Sequence, residues 1–283
     1  MSKILVTGAS GFVGSRLCEV VAHDGWSVRR AVRHLSGAQD EVVAELRDDA
    51  DWSEALKNIN VVIHLAARVH VMNDDAIDPL TEFRAVNTSG TLCLAKQAVE
   101  SGIKRFIYLS SIKVNGEFTQ SGLAFNPDDG FIPTDPYGLS KYEAEQGLLE
   151  LAEQTDMEVV IIRPPLVYGP GVKANFASMI KWVNRGVPFP FGAVYNKRSL
   201  IALDNLVSFI VHCIDHPKAA NEVFLVSDGE DVSMSELLRK VAKVFGKKLR
   251  LIPVPVCLMI FLAKLIGKGD VASRLFGSLQ VDS

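Results

Sequence analysis

Short apolar runs alternate with stretches of helical spacing through the first 165 residues of the chain. Several runs are continuous rather than alternating, which is typical of strands covered on both faces. The runs lie at Lys3–Thr7, Ser27–Val32, Val61–Leu65, Arg105–Ser110 and Glu158–Arg163. Helical spacing lies between them, at Gly14–His23, Trp52–Lys57, Leu80–Ser101 and Pro136–Gln154. Five strands joined by crossover helices predict an α/β fold with a doubly wound parallel sheet.

The pattern changes after Arg163, where RPPLVYGPG and GVPFPFG break regular structure. Regular patterns then return as a helical stretch at Asp204–His216, a strand-like EVFLVS, and a capping box at Ser233–Glu236 that opens a helix to about Phe245. We predict a main domain of residues 1–165 with about 198–218, and a smaller C-terminal substrate-binding lobe of residues 166–197 and 219–283. Ligands of such sheets bind at the carboxyl ends of the strands, so the lobe is expected to close a pocket there.

One segment is almost wholly apolar. It runs from Leu251 to Ile266 and reads LIPVPVCLMIFLAKLI. It is too short to span a bilayer, and two prolines and Lys264 interrupt it. We therefore predict a buried helix after a proline-rich turn, and no integral membrane span.

Composition excludes several classes of protein. The chain has 283 residues, 48% of them hydrophobic and 22% charged, so it can bury a large core. Its net charge of −3, from 30 basic and 33 acidic residues, offers no electrostatic footprint for nucleic acid. Its four cysteines lie far apart without a CxxC pair, which argues against a zinc site or a disulfide framework. The first residues run directly into a strand, so we expect no signal peptide and a cytoplasmic location.

A glycine-rich turn joins the first strand to the first helix, as in Rossmann-type folds. Gly8 permits the tight turn, Gly11 lets the backbone approach a pyrophosphate, and Gly14 lets the helix pack closely on the sheet. Free amide groups at the helix N-terminus attract phosphate. The position between a strand and a helix predicts a dinucleotide site.

The end of the second strand bears on which dinucleotide binds. NAD enzymes usually carry an acidic residue there for the ribose hydroxyls. Here the strand ends in RRAVRH, without an acid. Arg33 can instead pair with the 2′-phosphate of NADP through a charge-assisted fork. We predict NADP as the cofactor, with NAD as the alternative.

A tyrosine and a lysine four residues apart are candidate catalytic groups. Tyr137 and Lys141 lie on one face of a predicted helix. A nearby ammonium favours the phenolate, so we expect Lys141 to lower the pKa of Tyr137 towards a useful acid–base value. Ser111 follows the fourth apolar run, where its hydroxyl could donate to a substrate carbonyl.

Together these motifs resemble a known family over nearly the whole chain. They are the glycine turn, HLAA (64–67), VNTSGT (86–91), LSS (109–111), YGLSK (137–141) and RPPLVYGPG (163–171). The chain looks like an extended short-chain dehydrogenase/reductase of the NAD(P)-dependent nucleotide-sugar epimerase/dehydratase group. The resemblance implies a catalytic triad of Ser111, Tyr137 and Lys141, and a homodimer formed through the helices around 80–101 and 136–154.

The resemblance also suggests binding residues. Glu45 and Leu46 match a pair that contacts adenine, Asn87 matches an asparagine after HLAA, and Pro164 lies where backbone approaches the nicotinamide carboxamide. The cofactor set is Gly8, Ser10, Gly11, Phe12, Val13, Gly14, Arg33, Glu45, Leu46, Leu65, Ala66, Ala67, Asn87, Tyr137, Lys141 and Pro164. The substrate set is Arg68, which follows the HLAA motif, Lys113, where epimerases often have Thr, Asn175, and Arg198, which matches a diphosphate-binding arginine.

Within the group, SSIKVNGE, AARVHVMND and GSLQVD look most like bacterial surface-polysaccharide enzymes. Such enzymes act at C4 of a nucleotide sugar. Because Arg33 indicates NADP, the leading prediction is reduction of a UDP-4-keto-6-deoxy-N-acetylhexosamine in polysaccharide biosynthesis of the O-antigen type. The alternative is a UDP-glucose or UDP-N-acetylglucosamine 4-epimerase with retained NAD. An alternative of another class is a non-catalytic Rossmann protein that senses NADP.

Overall fold

The computed structural model describes residues 3–69, 78–120, 122–172, 174–267 and 269–283, with the side chains of all but residues 174, 175 and 270. These residues form two compact units. The first unit comprises Met1–Gly116, Pro127–Pro164 and Leu203–Val226. The second comprises Glu117–Asn126, Pro165–Ala202 and Ser227–Ser283.

Nine strands are present in the described ranges. They are β1 (Lys3–Thr7), β2 (Ser27–Val32), β3 (Glu41–Val43), β4 (Val61–His64), β5 (Arg105–Leu109), β6 (Glu158–Arg163), β7 (Leu166–Tyr168), β8 (Leu200–Ala202) and β9 (Glu222–Leu225). Seven of them form the sheet of the first unit, all parallel, in the order β3-β2-β1-β4-β5-β6-β9. The predicted doubly wound fold is confirmed. The strand order reverses between β1 and β4, which is where such sheets bind ligands.

Helices connect these strands. They are α1 (Phe12–His23), α2 (Ser53–Leu56), α3 (Pro79–Phe83), α4 (Thr91–Glu100), α5 (Pro136–Gln154), α6 (Ala174–Asn184), α7 (Leu203–His212), α8 (Met234–Val244), α9 (Val256–Leu265) and α10 (Gly269–Phe276). The helix predicted over 80–101 is broken into α3 and α4 by a wider π-helical segment, Arg84–Gly90. Such segments often occur at functional sites, and this one carries Asn87.

The core of the first unit lies between the sheet and its helices. Every residue of β4 is buried, as are all but the ends of β5 and β6. Helix α5 contributes Ala144 and Leu148 to this core, and Trp52 fills the space before α2. The continuous apolar runs of the sequence therefore correspond to strands with both faces covered.

The two units divide the chain differently from the predicted domains. Strand β9 was predicted to belong to the lobe, but it pairs with β6 at the edge of the main sheet. Residues Glu117–Asn126 were predicted to belong to the main domain, but Thr119 and Phe125 pair with Ser278 and Val281 of the second unit. Pairing between distant segments decides both placements, and a local sequence pattern does not encode it.

The second unit has its own small core and a two-stranded parallel sheet of β7 and β8. Val183, Phe189, Leu238, Val241 and Ala242 form this core between α6 and α8. The predicted capping box is present, since the Ser233 side chain accepts from the amide of Glu236, and the Glu236 side chain accepts from the amide of Ser233. It begins α8 at the predicted position.

The prediction of a buried helix in the apolar segment is wrong. None of the residues of α9 is buried, and Phe261 and Leu265 expose 58% and 67% of their surface. Sequence hydrophobicity says that a segment is apolar, but only tertiary packing decides whether another element covers it. Among the described helices, none is long and apolar enough to cross a membrane.

Candidate active site

The turn between β1 and α1 forms a cradle of bare backbone. Gly8 has φ +65°, a left-handed conformation that favours glycine. A Cβ at Gly8 would lie 2.8 Å from the amide nitrogen of Ala66, and one at Gly14 would collide with the carbonyl oxygen of Gly8. Among the described residues, no side chain caps the N-terminus of α1 at Gly11. The predicted Ser10, Phe12 and Val13 lie in this turn or in the first turn of α1, whose amides can receive an anion.

A buried hydrogen-bond chain fixes the segment that faces this cradle. The Thr7 hydroxyl oxygen accepts from the amides of Leu65 and Ala66, both at 3.2 Å. It therefore donates its proton to Nδ1 of His64, 2.7 Å away. The opposite nitrogen, Nε2, then carries a proton towards the Thr91 hydroxyl at 2.9 Å. Leu65 and Ala66 are thereby held against Gly8, where the predicted cofactor segment Leu65–Ala67 begins.

His64 is a neutral structural imidazole. It is fully buried and stacks on the Tyr108 ring at 5.7 Å. Burial, aided by the charge of Lys141, lowers the pKa of His64 to about 3. It is therefore uncharged at neutral pH and serves to position the backbone after β4.

Asn87 ties three segments together from the π-helical turn. Its side-chain oxygen accepts from the Arg68 amide at 2.8 Å, and its Nδ2 donates to the Arg68 carbonyl at 3.0 Å and to the Ser140 hydroxyl at 3.1 Å. Asn87 is fully buried. These contacts pin the segment after β4 to α5. The predicted contact of Asn87 with a cofactor stays a prediction.

Helix α5 presents the candidate acid–base groups. Asp135 caps its first turn by accepting from the Gly138 amide at 3.1 Å, and Pro136 occupies the first helical position. The Tyr137 side chain is hydrogen-bonded to Ser111, which follows β5. The tyrosine ring packs edge-on against Phe83 at 5.8 Å between ring centres. The structure thus brings Ser111 and Tyr137 together, as the sequence predicted.

Lys141 is buried one turn further along α5. Its Nζ donates to the carbonyl of Leu109 at 3.0 Å and lies 4.5 Å from the centre of the Tyr108 ring. Burial lowers the pKa of Lys141 to about 7, opposed by the charge of Glu145. The lysine is therefore close to half protonated at neutral pH.

The expected lowering of the pKa of Tyr137 by Lys141 is wrong. Burial instead raises the pKa of Tyr137 to about 12, and the hydrogen bond from Ser111 opposes this rise only in part. The charge of Lys141 is itself weakened by burial, and its ammonium is directed to Leu109 and Tyr108. The cost of desolvating a phenolate therefore exceeds what the lysine contributes.

The sequence did not predict the buried ion pair between Glu145, one turn after Lys141 on α5, and Arg163. Glu145 follows Lys141 at the same four-residue spacing and is fully buried. Arg163 approaches it with Nη2 at 2.6 Å and Nε at 3.1 Å, and donates Nη1 to Asn115 Oδ1 at 3.1 Å. The sequence did contain one indication: Tyr137, Lys141 and Glu145 follow one another at intervals of four residues, which places all three on one face of the helix. The partner on β6 became visible only in the folded chain.

The C-terminal end of β6 and Pro164 after it lie beside the segment that carries Ser111. Ile112 donates its amide to the carbonyl of Pro164 at 3.0 Å, and Ser110 donates to Ile162 at 2.8 Å. Pro164, predicted to approach the nicotinamide, is therefore one residue from Ser111 across this backbone bond. Lys113 pairs through Nζ with the helix cap Asp135 at 3.1 Å.

Arg68 borders this cluster, because its guanidinium lies 5.7 Å from the centre of the Phe83 ring that packs on Tyr137. Arg33 is exposed after β2, and Glu45 is exposed beside Arg47, 3.9 Å away. Leu46 packs against the position of Gly90 and the edge of the core. Arg68 pairs with Glu82 at 3.6 Å. Their contacts with ligands stay predictions.

Two predicted substrate residues belong to the second unit. The side chain of Asn175 lies outside the described residues. Arg198 donates through Nη1 to the carbonyl of Arg274 at 2.6 Å, and burial lowers the pKa of its guanidinium. Its proposed contact with a diphosphate stays a prediction.

Comparison with known proteins adds independent findings. The sequence profile of the NAD dependent epimerase/dehydratase family matches residues 4–227. The chain is 53% identical to a UDP-glucose 4-epimerase of Vibrio cholerae, over 99% of this chain and 87% of that protein. It is 30% identical to an N-acetyl-alpha-D-glucosaminyl-diphospho-ditrans,octacis-undecaprenol 4-epimerase of Escherichia coli O157:H7, over 89% and 75%. A solved UDP-N-acetylglucosamine 4-epimerase from Bacillus cereus superposes with a TM-score of 0.81 at 19% identity, covering 100% and 90%.

Proposed function

Because this chain belongs to the NAD dependent epimerase/dehydratase family, we propose that it is a 4-epimerase of a UDP-linked sugar. The observation that carries the proposal is the 53% identity, over 99% of the chain, to a protein named UDP-glucose 4-epimerase. A second relative, at 30% identity, is also named a 4-epimerase. The sequence analysis favoured a 4-keto-sugar reductase, but these relatives support its alternative better.

The cradle between β1 and α1 fits a dinucleotide. A Cβ at Gly8 or Gly14 would meet backbone, so these glycines let the turn pack closely, and Ser10 and Gly11 between them are exposed. The N-terminus of α1 is uncapped by side chains and offers the positive end of a helix dipole. Gly11 and the first amides of α1 would hold the pyrophosphate, and the segment Leu65–Ala67 would line the opposite side.

The residues around Tyr137 suit proton transfer at the sugar hydroxyl. A bound nicotinamide dinucleotide would supply the redox chemistry at carbon 4, namely hydride transfer in both directions. The Tyr137 oxygen accepts the proton of the C4 hydroxyl as the ketone forms and donates it back when the ketone is reduced. The single hydroxyl proton of Ser111 can be donated to the Tyr137 phenolate, which it stabilises. Once Tyr137 is protonated, the same proton can be donated to the ketone oxygen, which it polarises. No proton or electron pair is consumed over a full cycle.

The buried Lys141 can stabilise the charge that develops on the Tyr137 oxygen. Its pKa of about 7 lets its charge respond to a small change in surroundings near neutral pH. A protonated Lys141 stabilises a negative oxygen on Tyr137, one helical turn away. The buried Glu145 raises the pKa of Lys141 and so favours this protonated form.

The test separates an epimerase from a reductase. The protein is incubated with UDP-glucose and with UDP-N-acetylglucosamine, without added reductant, and the sugar nucleotides are separated by anion-exchange chromatography. In parallel, UDP-4-keto-6-deoxy-N-acetylglucosamine is mixed with NADPH or NADH while absorbance of the reduced nicotinamide is followed. We expect a C4 epimer to accumulate to equilibrium with no net loss of cofactor. Stoichiometric loss of NADPH without any epimer would establish the reductase instead.

Two further outcomes are distinguished in the same assay. The Escherichia coli relative is named for a lipid-diphosphate-linked sugar, so N-acetylglucosaminyl-diphospho-undecaprenol in detergent micelles is included as a third substrate. If only this substrate is converted, the proposed epimerisation at C4 stands, but the sugar is carried by undecaprenyl diphosphate rather than by UDP. Tight nucleotide binding without turnover of any sugar would support the sensor.

Arg33 tests the choice between NAD and NADP. We expect Arg33→Ser to weaken NADP binding at least tenfold, because it removes a charge-assisted partner of the 2′-phosphate, while NAD binding stays unchanged. Dissociation constants for both dinucleotides are measured by calorimetry for the protein and the variant. Lys57→Ser, which removes another exposed cation of the same unit, is the control. Equal losses for both dinucleotides would contradict a role at the 2′-phosphate.

A further inference from the structure

Helix α9 exposes an apolar surface. At about 100° per residue, its half-buried residues Val256, Met259, Ile260 and Ala263 share one face. The opposite face carries the exposed residues Cys257, Leu258, Phe261, Leu262, Lys264 and Leu265. Five of these six side chains are apolar or weakly polar. The helix is therefore apolar on both faces, but only one face is packed.

Exposed apolar side chains are also frequent in the sequence on either side of α9. Of nineteen exposed large hydrophobic side chains in the described residues, nine lie between Val244 and Val271. They include Val244 at 81% and Ile266 at 70% exposure. Such a concentration in about a tenth of the chain indicates an interacting segment rather than scattered exposure.

The same segment has an extreme charge. From Leu237 to Gly269 the sequence carries eight basic residues and no acidic one, while the remaining 250 residues carry 22 basic and 33 acidic. Seven of the eight are described, and all seven are exposed: Arg239, Lys240, Lys243, Lys247, Lys248, Arg250 and Lys264. Only Lys240 has an ion pair among those the structure describes, with Glu230 at 2.6 Å.

We propose that α9 and the basic residues before and within it dock onto the surface of an anionic lipid bilayer, with the helix lying in the interface. Apolar side chains beside Lys and Arg are the combination that inserts into the boundary between headgroups and acyl chains. At 1.5 Å per residue α9 is about 15 Å long, half the hydrocarbon thickness, so it lies in the surface rather than crossing it. Lys264, beside the apolar face, can extend its ammonium to a lipid phosphate.

The charge of the segment favours an anionic bilayer over a second copy of the chain as the partner of α9. A two-fold contact through α9 would bring two segments of charge +8 towards each other. Such like charges repel, whereas a bilayer of anionic lipids attracts each Lys or Arg by about 1 kcal/mol, or about fivefold in affinity. Charge complementarity therefore favours the membrane.

A vesicle flotation experiment with the 283-residue chain tests the proposal. Vesicles of phosphatidylcholine alone are compared with vesicles of equal parts phosphatidylcholine and phosphatidylglycerol, at low and high salt. We expect flotation only with the anionic vesicles, weakened by salt. The paired substitution Lys247→Glu with Lys248→Glu should lower the partition coefficient at least about 25-fold, and Phe261→Asp should lower it at least about tenfold.

Matched controls separate docking from folding. Leu123→Asp replaces a side chain with 59% exposure, close to the 58% of Phe261, and Lys57→Glu with Lys104→Glu reverses two exposed lysines of the first unit. Both should bind vesicles like the unchanged chain, and circular dichroism should show every variant folded. Equal flotation with uncharged vesicles, or no flotation, would overturn the proposal. A stable dimer in light scattering that Phe261→Asp abolishes would assign the surface to a second copy.

Discussion

Tyr137→Phe is expected to lower kcat by about 10³-fold or more while the protein stays folded. The substitution removes only the phenolic oxygen, which transfers the proton in the proposed reaction, and positioned acid–base groups contribute about 10² to 10⁴-fold. The ring that packs on Phe83 is kept. Initial rates of C4 epimerisation measure the effect, with NAD binding measured in parallel. Tyr142→Phe, on the same helix and half-buried, is the matched control and should keep its rate.

The pH dependence of the epimerisation rate is a second test of proton transfer by Tyr137. The hydrogen bond from Ser111 lowers the pKa of Tyr137, which burial has raised to about 12. Removing it with Ser111→Ala raises that pKa further, so the rise of rate with pH should move to higher pH. A rate of Tyr137→Phe within a few-fold of the unchanged enzyme, or an unmoved pH profile for Ser111→Ala, would exclude Tyr137 as the proton-transfer group.

Arg163→Met is expected to lower the free energy of unfolding by about 3–5 kcal/mol. The substitution leaves the fully buried carboxylate of Glu145 without the guanidinium that contacts it at 2.6 Å. It also removes the donor to Asn115. Urea denaturation at neutral pH measures the loss. The double variant Arg163→Met with Glu145→Gln should recover part of the stability, because no unpaired carboxylate then stays buried.

Arg105→Met is the matched control for this prediction. Arg105 contacts Glu158 at the same 2.6 Å and also donates to two backbone carbonyls, but Glu158 keeps 43% of its side chain in solvent. Water can solvate the carboxylate that is left, so the loss should be clearly smaller. Equal losses for Arg163→Met and Arg105→Met would show that burial of Glu145 does not govern the effect.

The sequence predicted the parts of the site that depend on local spacing. Continuous apolar runs identified the buried strands, because strands with helices on both faces have no polar side. The glycines at positions 8, 11 and 14 marked the turn between β1 and α1, since a Cβ at Gly8 or Gly14 would clash with backbone. The interval between Tyr137 and Lys141 placed both on one face of α5.

Other parts depend on contacts between distant residues. The partner of Glu145 is Arg163, on the strand that follows α5, and Thr119 pairs with Ser278 far along the chain. The pKa of Tyr137 follows from the desolvation of its phenol, which outweighs the neighbouring lysine that the spacing suggests. Periodicity reports which positions are apolar, but it contains no information about which element covers them. For this reason the sequence by itself determined the fold, the glycine turn and the tyrosine–lysine spacing, whereas only the tertiary structure decided the buried ion pair, the direction of the tyrosine pKa and the exposure of α9.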